Sequence, residues 1–288
     1  MKNFNIIAVL LVGLMAIKCT PKPLDIDLPQ AEPKLVISSQ VIPGSLMIVT
    51  VSRSMDAKGF SIDNDTLTQD VLNQLLVDSG IVTISYNGLT DTLFRAPGTP
   101  GVFVSLSTPR ILNTNYNLAV KDYNTGMSVT SSAYMLPQVR LNSASAKIDK
   151  SGLFSTTKIT YSFDDPQGED NWYMVNFYAQ RDSTSTSGGV NLNENDDVLK
   201  ETIVLSDKNF SSSTITASRT VTEWEQDTVF VSISNISEGY YNYLNARLRS
   251  GNLFSSLTRE PVNHPTNVIG GYGFFTTHIP SVRVVKVD

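Results

Sequence analysis

From residue 34 onward the chain sets short apolar runs between turn residues, and most runs alternate with a period of two. KLVISSQVI (34–42) and LMIVTVSRS (46–54) flank Pro43-Gly44-Ser45, a turn signal. GIVTISYNG (80–88), LTDTLFR (89–95), GVFVSL (101–106), YNLAVKD (116–122) and MSVTSSAYML (127–136) follow. Successive side chains on a strand point to opposite faces, so each run predicts a half-buried strand. Asn87-Gly88 between two runs predicts a type I′ hairpin, whose two central residues both need positive φ. Leu67, Val71, Leu72, Leu75 and Leu76 recur instead at helical spacing, with Asp65 or Thr66 as N-cap. They predict a short surface helix in an inter-strand connection.

Pro137 marks a boundary, beyond which come VRLNSASAKI (139–148), TTKITYSF (156–163), NWYMVNFYAQ (171–180), a polar loop at 182–197, LKETIVL (199–205), STITASRTV (213–221) and DTVFVSIS (227–234). SEGYYNYLNARLRS (237–250) then turns helical: Tyr240, Tyr243, Leu244, Arg247 and Leu248 fall at steps of three and four, with Ser237 to cap and Gly251 to stop. Many short strands at regular spacing with few helices predict an all-β protein built of two tandem β-sandwich domains, immunoglobulin- or transthyretin-like, with one or two short helices. The domains are placed at 34–137 and 138–288.

The N-terminus reads differently. Lys2 precedes a ten-residue apolar run, Ile6 to Met15, too short to span a bilayer as a helix. Cys19, the only cysteine, follows it directly. That arrangement resembles a bacterial lipoprotein signal, where residues 1–18 are removed and the cysteine is acylated. The residue before such a cysteine is normally Gly, Ala or Ser; here it is Lys18. Residues 19–33 hold four prolines and no helical period, an extended tether.

Charge narrows the function classes. Of 288 residues, 22 are Lys or Arg and 27 Asp or Glu, for a net charge of −5, which loss of Lys2 and Lys18 takes to −7. That balance speaks against nucleic-acid binding, which needs clustered cations. One cysteine rules out an internal disulfide framework, and two histidines, His264 and His278, leave little for metal or triad chemistry.

Four stretches carry a family resemblance: Cys19 through DIDLPQAEPKLVISSQVIPG to VTVSRS, then DDPQGEDNWYMV (164–175), ISEGYYNYLNARL (236–248) and EPVNHPTNVIGGYGFF (260–275). In this order they are similar to the Bacteroidota lipoproteins grouped as domain-of-unknown-function family 4249, DUF4249. The resemblance spans essentially the whole mature chain. It implies an outer-membrane lipoprotein, often encoded beside a TonB-dependent receptor of the kind that imports large nutrients, with no assigned activity.

Two segments are candidates for chemistry. Asp164, Asp165, Glu169 and Asp170 sit in the turn DDPQGED, where clustered oxygens suit Ca²⁺, although the EF-hand order is absent and a capped hairpin loop explains the same residues. A pair of hydrolytic carboxylates must be set by the fold across a cleft, which neighbours on one loop do not establish. Gly270-Gly271-Tyr272-Gly273-Phe274-Phe275 lacks the lysine of a phosphate loop. It is expected to be a tight turn leading into a strand whose aromatics close the core of the second domain, with at least one phenylalanine buried. Tyr272, Tyr240 and Tyr243 are the candidate contacts for a ligand or partner.

The sequence therefore predicts a non-catalytic protein, lipid-anchored through Cys19 at the outer membrane, acting as an accessory or binding component of TonB-dependent uptake. No cofactor is called for. The alternatives are a surface adhesin or fimbrial-type module and, third, a glycan-active enzyme.

Overall fold

The structure, a computed structural model, describes residues 32–42, 46–54, 74–108, 110–151, 155–180, 197–210, 212–222, 228–249 and 264–288. Cys19, the tether and most of the expected 67–76 helix lie outside the described residues; Gln74 and Leu75 are helical. No helix among the described residues is long and apolar enough to cross a membrane.

The described residues are mostly strand. The first sheet takes β1 (Leu35–Ile42), β2 (Leu46–Arg53), β3 (Gly80–Tyr86), β4 (Leu89–Arg95), β5 (Val102–Ser105), β6 (Thr114–Asp122) and β7 (Ser128–Met135). It also takes two strands from far along the chain, β14 (Val268–Ile269) and β15 (Tyr272–Phe274). The order is β14-β7-β6-β3-β4-β5-β2-β1-β15. β6 shows why these residues make strands: its positions alternate strictly between buried and exposed, with Tyr116, Leu118 and Val120 inward and Asn115, Asn117 and Lys121 outward. The β3–β4 hairpin turns on Asn87 and Gly88, at φ 46° and 76°, as the type I′ expectation requires.

This sheet nearly closes on itself. β4 pairs along most of its length with β3 and by Phe94 and Arg95 with β5, so it carries the sheet round one corner. The opposite corner is closed by the two end strands, which are neighbours in sequence. β14 pairs antiparallel with β7, β15 pairs parallel with β1, and only Gly270-Gly271 separates them. Val49, Val51, Ile84, Tyr116, Leu118 and Phe275 are among the side chains filling the enclosed core.

The remaining strands are β8 (Leu141–Asp149), β9 (Thr156–Asp164), β10 (Trp172–Gln180), β11 (Asp197–Ser206), β12 (Thr214–Thr222), β13 (Thr228–Ile236) and β16 (Ser281–Lys286). They form a four-stranded sheet, β11-β10-β13-β16, and a three-stranded one, β12-β9-β8. Their shared core is aromatic: Phe163 and Tyr173 meet edge-on at 4.8 Å, and Tyr161 and Phe177 lie 5.8 Å apart. One helix, α1 (Glu238–Arg249), packs on β10 and β11. Ser237 starts it, its Oγ accepting from Tyr240 N at 3.3 Å and its carbonyl from Tyr241 N at 2.9 Å.

The glycine–aromatic segment departs from expectation in its place. It completes the first sheet, not the second half of the chain, although both phenylalanines are buried as required: Phe274 is 6% exposed and Phe275 0%. Backbone approach is the reason glycine stands there. A Cβ on Gly273, at φ 89°, would lie 1.9 Å from Ile37 O, and one on Gly271 would lie 2.4 Å from Leu35 O.

Candidate functional site

The segment DDPQGEDN is the β9–β10 connection, and the β11–β12 connection folds over beside it. Together Asp165, Pro166, Gln167, Gly168, Glu169, Asp170, Asp207, Lys208, Phe210 and Ser212 line an open depression of about 260 Å³. Asn171 pins the two loops. Its side-chain amide donates to Pro166 O at 2.9 Å and Glu169 O at 3.0 Å, while its backbone N donates to Asp207 Oδ2 at 2.7 Å.

Three of the four expected acidic residues, Asp164, Asp165 and Asp170, have carboxylate partners of their own, while Glu169 takes part through its backbone carbonyl. Asp164 Oδ1 accepts from Thr214 Oγ1 at 2.8 Å. Asp165 accepts from the Tyr173 hydroxyl and, at 3.1 Å, from Gln167 Nε2. Burial, with the Asp165 carboxylate beside it, pushes the Tyr173 hydroxyl's pKa well up, so it stays a donor. Asp170 Oδ2 lies 2.7 Å from Lys208 Nζ, and that bond raises the lysine's pKa. Lys208 Nζ also stands 5.8 Å from the centre of the Trp172 ring. Among the described residues, no three His, Cys, Asp or Glu side chains gather to hold a metal ion. The depression can therefore offer carboxylate, amide, hydroxyl and ammonium groups beside the Phe210 ring, a set suited to hydrogen-bonding a polar ligand.

Sequence reasoning placed the first loop but missed Asp207, Lys208, Phe210 and Ser212. A signal was available: Ser206 caps a single 3₁₀ turn, Asp207–Asn209, accepting at its Oγ from Lys208 N.

The tyrosines divide. Tyr240 is 6% exposed and stacks on the half-buried Tyr243 at 6.0 Å; both contact Phe274 at 5.4 Å. The two histidines extend the ladder, His278 stacked on Tyr240 at 6.5 Å and His264 edge-on to Tyr243 at 6.4 Å. Burial pushes the His278 imidazole pKa down to about 4, with the Val41 backbone opposing that shift. Tyr272 stands elsewhere, half-buried with Lys34 Nζ 5.1 Å from its ring centre. Met174, Ile236, Tyr240, Leu244 and Phe274 form one apolar cluster, with Trp172 packed against it. The stretches 164–175, 236–248 and 260–275 thus all deliver side chains to a single junction.

Over residues 21–280 the sequence matches the family model described as a domain of unknown function, DUF4249. No curated protein matches it. Among solved structures it is similar to one described as "a putative carbohydrate binding protein from Bacteroides uniformis", at 12% identity, covering 73% of this chain and 89% of that one with a TM-score of 0.20.

Proposed function

This chain belongs to the DUF4249 family, and on that premise we propose that it is a non-catalytic binding protein, lipid-anchored through Cys19 at the outer membrane, serving a TonB-dependent uptake system as an accessory. The observation that carries the binding role is the polar depression built by two loops at the strand ends where β9 passes to β10 and β11 to β12. Of its carboxylates, Asp165 is engaged by Tyr173 and Gln167 and Asp170 by Lys208, which supports binding over glycoside hydrolysis. We read the two sets of strands as tandem β-sandwiches of immunoglobulin or transthyretin type. Anchoring raises the effective concentration of the protein beside a membrane partner, so modest loop contacts suffice to hold a complex.

The test has two arms. Cells are fed an alkyne fatty acid, and label is expected on the wild type but not on Cys19→Ala; equal labelling overturns the anchor. The native protein is purified in mild detergent, and a TonB-dependent receptor is expected to co-elute and to be lost from an Asp170→Ala/Lys208→Ala variant. Turnover of a polysaccharide by the purified protein would overturn the non-catalytic reading.

A further inference from the structure

The rims of the sheets differ in how they are guarded. β14 and β15 are two and three residues long, and they meet each other across Gly270-Gly271. β8 and β16 cover one another: Ile148 N donates to Asp288 O at 2.9 Å and Asp288 N to Ala146 O at 3.1 Å. The sequence of β11 carries Asp197, Lys200 and Glu201, and its register with β10 steps over Lys200 in a bulge. Short length, charge and bulges are the usual devices that keep an edge from pairing with another chain.

β12 is neither short nor bulged. It runs nine residues in unbroken register with β9, without proline, glycine or lysine. Its one charge, Arg219, is neutralised by Glu201, whose carboxylate accepts from Arg219 Nε at 2.9 Å and from Nη2. Thr214, Thr216, Ser218 and Thr220 are exposed in one outward row. Among the described residues no strand pairs with its other edge.

We propose that β12 is a docking edge for a second copy of this chain, pairing antiparallel about a two-fold axis through Ser218. The occupant is written in the strand itself: TITASRTVT is close to palindromic, Thr-Ile-Thr at one end answering Thr-Val-Thr at the other. Two antiparallel copies centred on Ser218 set Thr216 opposite Thr220 and Ile215 opposite Val221. Both are pairings that stabilise antiparallel strands. Ile215, buried, and Val221, half-buried, belong to the core side, so the pair extends the apolar stripe while the hydroxyl row continues outside. The contact is isologous and closes at two copies. Because each Arg219 is already neutralised within its own chain, two copies meet without like charges opposed.

Sedimentation of the full chain in detergent, over a concentration series, tests this. The wild type is expected to show a monomer–dimer equilibrium. Thr216→Lys/Thr220→Lys opposes lysines across the axis, and Thr216→Glu/Thr220→Glu opposes carboxylates. Each is expected to weaken the dimer by at least about tenfold, with an unchanged circular dichroism spectrum because both positions are exposed. An equimolar mixture of the two variants is expected to recover a one-to-one dimer. A wild type that stays monomeric throughout, as an edge reserved for a foreign peptide would leave it, overturns the proposal. So does a dimer that neither variant weakens, or a mixture that remains apart.

Discussion

The two corners at which the strands turn back are closed by opposite means. In the first sheet the seam is a strap, residues 264–280, laid between β7 and β1. Asn267 acts there as a piece of strand: its side chain donates to Phe275 O at 2.7 Å and to Ser132 O at 3.1 Å, and accepts from Phe275 N at 2.9 Å. Ser39 does the same for Thr276, accepting from its N at 2.7 Å and donating to its O at 3.1 Å. Around β11 and β12 the polar link across the corner is an ion pair half in solvent, Arg219 with Glu201. Buried polar groups that lose a partner cost far more than exposed pairs that part. The strap is therefore structure, and the β11–β12 side, with its loops and an edge that no described strand covers, is where association can occur without unfolding anything.

The largest effect is expected from Gly273→Ala. The new Cβ meets the Ile37 carbonyl at a positive φ, so backbone must move, and a loss above about 4 kcal/mol is expected. Denaturant unfolding would show it as loss of the folded baseline; an unshifted midpoint would mean the seam is slack. Phe275→Ala empties the core side of the same strap, with an expected loss of about 3–5 kcal/mol.

His278 gives the seam a pH dependence. Its folded pKa, about 4, lies below the ordinary imidazole value of 6.5, so the unfolded chain binds more protons between the two. Its contribution is complete above about pH 6.5 and drains away as pH falls toward 4, about 3 kcal/mol in all. Unfolding midpoints from pH 7 to 4 should fall more steeply for the wild type than for His278→Asn. Parallel slopes would remove the histidine from the account. The smallest effect belongs to the other corner: Arg219→Ala, at an ion pair half in solvent, should shift stability by no more than about 0.5 kcal/mol. A loss of 2 kcal/mol or more there would erase the contrast.

Most strands were legible because period-two alternation survives wherever one face is wet. The run 80–88 became β3 with its turn, 89–95 became β4, and the helix expected over 237–250 is α1 at Glu238–Arg249. A strand was expected after the glycine turn, where β15 runs, but β14 was not legible, because at two residues it owes its conformation to β7 and not to its own pattern. The glycines were read as a constraint on backbone, correctly, but a sequence cannot say which backbone comes close. β16, SVRVVK, carried an alternation that was available and unread. At the candidate site the acidic loop was visible in composition, whereas Asp207 and Lys208 reach it only because β11 and β12 return beside it.

Because the strap closes the first sheet and also packs Phe274 against Met174, Ile236 and Tyr240, the central claim is that it makes the two sets of strands stand or fall together. Native-state hydrogen exchange on the full chain addresses it directly, comparing amides of β1 at Val36–Ser38, which pair with the strap, with amides of β13 at Val229–Ile233. Equal opening free energies in the wild type, lowered by the same amount in Phe275→Ala, are the expected result. If Phe275→Ala frees β1 to exchange while β13 keeps its protection, the strap is a local latch and the claim is wrong.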